Sequence, residues 1–212
     1  MEEPISLTYN NGVLSYEAFR NQVLQDYKIA MISREASLLG RREVLTGKAK
    51  FGIFGDGKEL AQIAMAKSFQ SGDFRSGYYR DQTFMFASGL ASVEQFFAQL
   101  YADPDVKNEP FSAGRQMVSH FSTRNVDENG NWLDLANRKN VSADSSPTAG
   151  QMPRAVGLAL ASKSFRNIQQ LWNQHHLSHN GNEVCFCTIG DASTSEGHFW
   201  ESINAAGVMH SR

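Results

Sequence analysis

The short run "VCFCTIG" (184–190) constrains the fold more than any other part of this chain. It is apolar, rich in β-forming residues and bounded by turn residues, which is typical of a buried strand in a parallel sheet. It leads through "DASTSEG" to a helical pattern at "HFWESINAAGVM" (198–209). Helices alternating with such a strand predict a layered α/β domain.

Helical patterns occupy much of the chain before this strand. From Ser15, an expected N-cap, to about Leu39, apolar residues recur mostly at three- and four-residue steps and predict an amphipathic helix. Its apolar face would consist of Phe19, Val23, Tyr27, Ala30 and Met31. Further helices are predicted at "KELAQIAMAKSFQ", at "VEQFFAQLYA" behind a capping-box spacing, and in "SPTAGQMPRAVGLALASKSF".

The segments between these helices predict loops and a division of the chain. "GRREVLTGKAKFGIFGDG" and "SGDFRSGYYRDQ" are punctuated by Gly and lack a period, so we interpret both as loops. The polar stretch 103–146 is unusually long for a loop, and such loops are usually functional or wrongly assigned. We divide the chain into an N-terminal helical extension (1–45) and an α/β domain (46–212).

Composition excludes several classes of partner. The chain has 22 acidic and 20 basic side chains and no basic stripe, so nucleic acid is not an expected partner. No apolar run approaches the length that spans a bilayer, and the N-terminus "MEEPISLTYNNG" is acidic and polar, unlike a secretory signal. We predict a cytoplasmic protein without a membrane partner.

Two aspartates follow glycine in motifs suited to a metal and a phosphate. Asp191 follows the predicted strand, Gly190 permits close approach of the backbone, and Ala192 and Ser193 can offer N–H groups to phosphate oxygens. Mg²⁺ needs about six oxygens, of which the protein commonly supplies one or two. Asp56, in "FGIFGDGKEL", has the better-spelled Gly-Asp-Gly triplet but no preceding strand. We therefore predict Asp191 as the metal ligand and Asp56 as part of a turn before a helix.

Several segments together resemble one family. "GYYRDQTFMFASGLASVEQFFAQLY", "GRQMVSHF", "SSPTAGQMPRAVGLALASK" and "TIGDAS" are similar to the α subunit, or α-like part, of the thiamine diphosphate-dependent E1 component of 2-oxo acid dehydrogenases, closest to the branched-chain type. The resemblance covers nearly the whole chain from about Tyr27 and implies a three-layer, parallel-sheet thiamine diphosphate-binding fold. The family's cofactor motif pairs its Gly-Asp with a later Asn. At that spacing no Asn follows Asp56, and from Asp191 the position lies beyond Arg212.

The resemblance assigns roles to particular residues. It implies that Tyr79 and Arg80 contact the diphosphate together with Gly190, Ala192 and Ser193, and that Asp191 holds Mg²⁺. It places His120 at the active site on the acyl or substrate side, and Ser146 and Thr148 against the cofactor. Ser145, Pro147 and Gln151 fall near the family's monovalent-cation loop, which makes K⁺ a candidate second ion. Thr148 and Gly150 depart from the family pattern there, and Ile53 stands where the family has a His.

The Gly-Asp-Gly turn also has a counterpart in this family. "GDGKELAQIA" lines up with a Gly-x-Glu segment that opens a helix close to the substrate end, which places Glu59 near the substrate entrance. Glu196, in "GDASTSEGHFWESINAAG", is implied to be structural, because transketolase has a similar segment at a subunit contact.

The resemblance implies decarboxylation of a 2-oxo acid, with transfer of the acyl group to a lipoyl arm. The implied partners are an E1 β subunit or domain, a lipoyl-bearing E2 component and further copies in an oligomer. The Glu that activates the cofactor comes from the β part, so we expect the isolated chain to be inactive. Two alternatives stay open, an N-terminal part of a transketolase-like enzyme and a non-catalytic scaffold of the same fold. A further strand should follow the helix at 198–209 in this class of fold, so we expect a fragment, truncated at its C-terminus, or one piece of a larger assembly.

Overall fold

A computed structural model of the chain describes residues 9–10 and 13–209. The strands in order are β1 (Tyr9–Asn10), β2 (Val13–Leu14), β3 (Phe74–Ser76), β4 (Asn140–Val141) and β5 (Cys185–Cys187). The helices are α1 (Tyr16–Leu45), α2 (Glu59–Ser68), α3 (Gln82–Ala87), α4 (Val93–Leu100), α5 (Gln151–Asn167) and α6 (Gly197–Met209), with 3₁₀ turns at Gln169–Leu171 and Asp191–Ser195. The first eight residues of the N-terminal segment "MEEPISLTYNNG" lie outside the described residues.

The central element is a three-stranded parallel sheet in the order β4-β3-β5. Phe74 is in register with Asn140 on one side and with Cys185 on the other. The α/β prediction is therefore confirmed for the described part of the chain, and β5 is a parallel strand as predicted. It is shorter than "VCFCTIG" and only partly buried, because β3 is its only neighbour among the described strands and its other edge is uncovered.

The prediction of a loop at "SGDFRSGYYRDQ" was wrong in its centre, since β3 lies there in the middle of the sheet. Ser76 Oγ donates to the Gln151 carbonyl on the α5 side of the sheet, at 2.9 Å. The Arg75 side chain points the other way, toward Phe84 of α3. Because Arg75 is one of only three residues in β3, the strand lacks the apolar run that predicts a buried strand. Ion pairs of Arg75 with two carboxylates offset the cost of burying its charge.

Helix α1 differs from its prediction in length and in its buried face. It continues to Leu45, through residues assigned to a loop. The predicted apolar face, including Phe19, Val23, Tyr27 and Met31, is exposed. The buried face is small and polar instead, with Ser37 Oγ accepting from Gln82 Nε2 at 2.7 Å. A Cβ at the buried Gly40 would overlap the Phe54 ring, so this face is selected for close approach rather than for hydrophobicity.

The predicted helix caps are confirmed by hydrogen bonds. Ser15 Oγ accepts from Ala18 N at 3.2 Å at the start of α1. At α4, Ser92 Oγ accepts from Gln95 N and Gln95 Oε1 accepts from Ser92 N, which forms the predicted capping box. Helix α5 begins at Gln151, a few residues later than the pattern suggested.

The long segment 103–146 is mostly irregular, as predicted, and it contains β4. Buried Glu109 organises its first part by accepting hydrogen bonds from the backbone of Phe111, Ser112 and Gly114. Phe111 then packs edge-on against the buried Phe121 ring. Polar groups thus satisfy one another while single aromatic residues anchor the segment to the core.

No helix within the described residues is long and apolar enough to cross a lipid bilayer.

We predict that Gly77→Ala destabilises the chain by about 1–3 kcal/mol, because its Cβ would overlap a buried guanidinium that two carboxylates hold in place. The matched control is Gly157→Ala in α5, where nothing lies within 4 Å of an added Cβ. That change should stabilise the helix by about 0.5–1 kcal/mol. Urea unfolding of both variants measures the two effects, and equal stabilities would contradict the packing at Gly77.

Candidate functional site

A cavity of about 110 Å³ lies at the carboxyl ends of β3 and β5. Three segments line it: the turn after β3, the segment after β4 and the turn after β5. Its lining residues are Tyr78, Tyr79, Arg80, Ser145, Pro147, Thr148, Ala149, Gln151, Gly190, Asp191, Ala192 and Ser193. The structure therefore brings together seven of the eight residues predicted to bind the metal, the diphosphate or the cofactor; Ser146 lies in an adjoining cavity.

The turn after β5 presents Asp191 to this cavity on a short 3₁₀ helix. Asp191 is exposed, and Gly190 passes close to the Tyr78 ring, where a Cβ would lie 3.5 Å from it. The Ala192 N–H lacks an intrahelical partner because it starts the turn. The Ser193 N–H donates to the Gly190 carbonyl at 3.1 Å, and its use for phosphate stays a prediction.

Among the described residues, Asp191 has no neighbouring set of further metal ligands. No group of three or more His, Cys, Asp or Glu side chains with metal-site geometry occurs among residues 9–10 and 13–209. A single carboxylate is a suitable protein contribution to Mg²⁺, which usually takes its remaining oxygens from phosphate and water. Asp191 presents one exposed carboxylate at the cavity.

The turn after β3 presents Arg80 with its charge uncompensated. Within the described part of the chain, its guanidinium forms no ion pair with a carboxylate. It lies over the Tyr79 ring at 5.5 Å from the centroid. Its backbone is fixed, because Gln62 Nε2 donates to the Arg80 carbonyl at 2.8 Å and Gly55 leaves no room for a Cβ against that carbonyl. A positioned guanidinium of this kind pairs readily with phosphate oxygens.

The segment after β4 contributes one unpaired buried oxygen. Ser145 Oγ is buried and has no hydrogen-bond partner in the part of the chain that the structure describes. By contrast, Gln151 Nε2 is engaged with the Thr188 carbonyl at 2.7 Å, and the carbonyl of the exposed Thr148 accepts from His198 Nε2 at 2.8 Å. Since buried polar groups are normally paired, the Ser145 hydroxyl is the group in this segment that still lacks a hydrogen bond.

A second cavity of about 140 Å³ adjoins the first at Tyr79. Its walls are largely apolar and its polar end consists of His120 and Ser146; the lining residues are Phe51, Ile53, Tyr79, Met117, Val118, His120 and Ser146. His120 is 2% exposed, and its ring stacks on Tyr79 at a centroid distance of 6.3 Å. The two cavities therefore share one aromatic wall.

Hydrogen bonds fix the His120 ring and its backbone. Nδ1 lies 3.3 Å from the Val118 carbonyl and Nε2 lies 2.8 Å from Ser146 Oγ. Because a carbonyl can only accept, Nδ1 carries the proton in the neutral ring and Nε2 accepts from the Ser146 hydroxyl. Gln99 clamps the His120 backbone by accepting from its N–H and donating to its carbonyl. This arrangement holds an imidazole nitrogen and a hydroxyl at the polar end of an apolar cavity.

The Gly-Asp-Gly turn lies apart from both cavities. Asp56 pairs with Arg41 of α1 at 2.5 Å, and it sits in the turn before α2, as predicted. Glu59 is the first residue of α2 and is buried. Its carboxylate accepts hydrogen bonds from the Gly57 N–H and from Nε and Nη2 of Arg34. Glu59 lines neither cavity and instead joins α1 to α2, and its position near the substrate entrance stays a prediction.

Sequence reasoning missed five residues that line the two cavities, namely Phe51, Tyr78, Met117, Val118 and Ala149. Phe51, Met117 and Val118 are ordinary apolar residues in segments without a period, so nothing local distinguishes them from core residues. Tyr78 was passed over beside Tyr79; burial and the neighbouring Asp81 raise the pKa of its phenol, which stays protonated. The sequence feature that could have indicated Tyr78 is the pair of adjacent tyrosines directly before Arg80.

The described residues form an α/β fold with a cavity at the carboxyl ends of parallel strands, which is where open α/β sheets bind their ligands. The family described as "Dehydrogenase E1 component" matches residues 27–211, most of the chain, and the chain belongs to this family. The family depends on thiamine diphosphate, and the chain is an α-type E1 component.

Curated relatives carry the name 2-oxoisovalerate dehydrogenase subunit alpha. The protein from Bacillus subtilis is 28% identical over 164 residues, which cover 77% of this chain and 40% of that protein. The mitochondrial protein from Bos taurus is 24% identical over 190 residues, or 90% of this chain and 35% of that protein. The chain thus spans well under half the length of the curated relatives it matches.

We predict that Glu59→Gln lowers the free energy of unfolding by about 1–2 kcal/mol at neutral pH, allowing for its partly exposed partner. The Arg34 guanidinium lowers the pKa of the Glu59 carboxyl to about 2, so its stabilisation is present above the ordinary value of 4.5 and lost as pH falls toward 2. The difference between variant and wild type should therefore vanish over that interval in urea unfolding at a series of pH values.

Asp56→Asn is the matched control for this effect. It removes the neighbouring arginine–carboxylate pair, which is more exposed, and should change stability by less than about 0.5 kcal/mol. A pH-independent loss in Glu59→Gln would show that the ion pair does not account for the effect.

Proposed function

We propose that the chain is the α part of a thiamine diphosphate-dependent 2-oxo acid dehydrogenase E1 that acts on a branched-chain 2-oxo acid and passes the acyl group to a lipoyl arm. The observation that carries this proposal is the convergence of three separate segments on one cavity. Tyr79–Arg80, the segment 145–148 and Gly190–Ser193 are far apart in sequence, yet residues of all three line this cavity. The family resemblance assigns residues of each segment to the cofactor or its ions.

The residues present fit the cofactor's diphosphate end. Among the described residues, Arg80 lacks a carboxylate partner and the buried Ser145 Oγ lacks a hydrogen-bond partner. Asp191 is an exposed carboxylate. We assign Arg80 and Tyr79 to the diphosphate, with Gly190, Ala192 and Ser193 beside them, and Asp191 to Mg²⁺. Ser146 and Thr148 support the cofactor, and Ser145 supplies a ligand for K⁺.

Thiamine diphosphate, when bound, supplies the electron sink for loss of carbon dioxide from the 2-oxo acid. The chain's own residues bind and orient the cofactor and the 2-oxo acid, and they exclude water from the site. His120 is the proposed catalytic residue. Its Nε2, which Ser146 Oγ orients, can exchange a proton with an oxygen of the substrate or acyl group at the polar end of the second cavity.

The apolar cavity supports the branched-chain substrate. Phe51, Ile53, Met117 and Val118 give it aliphatic and aromatic walls within a volume of about 140 Å³. Ile53 replaces the polar residue expected from the family, and it makes this wall fully apolar. Burial of a branched aliphatic side chain there is favourable by about 1.5–3 kcal/mol, whereas a charged side chain would be excluded.

The proposed partners rest on the family and on the relatives' names. The proposed partners are an E1 β subunit, which supplies the Glu that activates the cofactor, and a lipoyl-bearing E2 component in a multienzyme complex. Turnover by this chain therefore requires the β part. We propose a cytoplasmic complex.

We predict that Asp191→Asn weakens binding of thiamine diphosphate with Mg²⁺ by tenfold or more, about 1.4 kcal/mol, in calorimetric titrations of the chain with an E1 β subunit. Asp56→Asn, the control, should bind as wild type because Asp56 lies outside the cavity. Weakened binding in Asp56→Asn alone would reverse the assignment. Absence of binding in wild type would leave a non-catalytic scaffold of this fold.

We predict that His120→Gln lowers kcat/KM for a branched-chain 2-oxo acid by about 10²-fold or more, the usual scale for loss of a proton-transfer group. Cofactor affinity should change little, since His120 lies in the second cavity. His175→Gln, which alters an exposed histidine, is the control. Wild-type kcat/KM in His120→Gln would remove His120 from the chemistry.

A further inference from the structure

Arg75 lies behind the candidate site, on the central strand, and is completely buried. Its Nη2 donates to Asp81 Oδ2 at 2.6 Å and to the Tyr78 carbonyl at 3.2 Å. Its Nη1 donates to both oxygens of Asp144, at 3.2 and 3.1 Å. One guanidinium thus joins the turn after β3 to the segment after β4, across 69 residues of sequence separation.

Each partner of Arg75 adjoins residues that line the cavities. Asp81 follows Arg80 directly, and Asp144 precedes Ser145 and Ser146. Asp144 also reaches a third segment, because its Oδ2 accepts from the Phe121 N–H at 3.0 Å and its own N–H donates to the Phe121 carbonyl at 2.9 Å. Phe121 follows His120. The segments carrying Arg80, Ser146 and His120 therefore share one buried anchor.

The surroundings of Arg75 are shaped to this anchor. Gly77 passes so close that any Cβ would overlap the guanidinium. The guanidinium also lies 5.8 Å from the Phe84 ring centroid. Burial raises the pKa of the Asp144 carboxyl while Arg75 opposes that effect, so Arg75 keeps an otherwise costly carboxylate inside the protein.

We propose that Arg75 is a positioning residue, whose fork-shaped hydrogen bonds to Asp81 and Asp144 set the distance between the Tyr79–Arg80 turn and the His120 and Ser146 segments. It touches neither cavity itself. A guanidinium is suited to this role because it is planar and presents donors in fixed directions, which an ammonium cannot do. The consequence for cofactor binding rests on the proposed function.

The test compares Arg75→Lys with Arg34→Lys. Both changes keep the charge and remove a fork held by a carboxylate, but Arg34 pairs with Glu59 outside the cavities. Two quantities are measured: affinity for thiamine diphosphate with Mg²⁺ in the presence of an E1 β subunit, and the NMR resonance of the labelled His120 ring in the ligand-free chain. That resonance reports the stacking of His120 on Tyr79 through the ring current.

Arg75→Lys should weaken cofactor affinity by about tenfold or more and shift the His120 resonance, because small displacements of binding groups are costly. Arg34→Lys should change neither. A lower melting temperature in Arg75→Lys with wild-type affinity and an unshifted resonance would overturn the proposal. If wild type binds no cofactor, the proposed function fails, while the His120 resonance still decides the role of Arg75.

A second variant covers the case in which Arg75→Lys does not fold. Arg75→Met combined with Asp81→Asn and Asp144→Asn removes all three charges together and leaves no unpaired buried charge. It should fold, with weakened affinity and a shifted His120 resonance. Wild-type values in this variant, or failure of it to fold, would overturn the positioning role.

Discussion

The constraint on which the rest of the structure depends is the buried charge of Arg75. A guanidinium in the middle of a sheet is tolerated only when carboxylates and carbonyls satisfy it, and its partners are Asp81, Asp144 and the Tyr78 carbonyl. Those partners belong to the segments after β3 and β4. The hydrogen bonds that Arg75 requires therefore fix the paths of both segments. Residues of both segments line one cavity with the turn after β5.

The location of the candidate site follows from the sheet. Parallel strands place their carboxyl ends at one edge, where turns meet and backbone N–H groups are unpaired. Asp191 reaches this edge because it follows β5, whereas Asp56 follows an irregular segment and is held by Arg41. The comparison shows that context, rather than the exact spelling of a Gly-Asp-Gly motif, decides which carboxylate faces the cavity.

Local signals predicted the parts of the fold that depend on local physics. The caps at Ser15 and Ser92, the helix at α2 and the parallel strand at β5 were readable because neighbouring residues determine them. Strand β3 could not be predicted from local sequence, because residues far along the chain stabilise the buried Arg75. The buried face of α1 was predicted wrongly for a similar reason, because Gly40 and Ser37 fit against distant rings and amides rather than supplying hydrophobic surface. In the candidate site, the motif resemblance predicted most of the polar residues that line the cavities, whereas the apolar wall is composed of residues without any pattern.

Crystallography with Mn²⁺ in place of Mg²⁺ tests the central claim most directly. Crystals of the chain with an E1 β subunit, thiamine diphosphate and Mn²⁺ would locate the metal by its anomalous scattering. The account predicts a peak at coordination distance, about 2 Å, from the Asp191 carboxylate, with the diphosphate beside Arg80. A peak at Asp56, or a diphosphate bound away from the Tyr79–Arg80 turn, would contradict it.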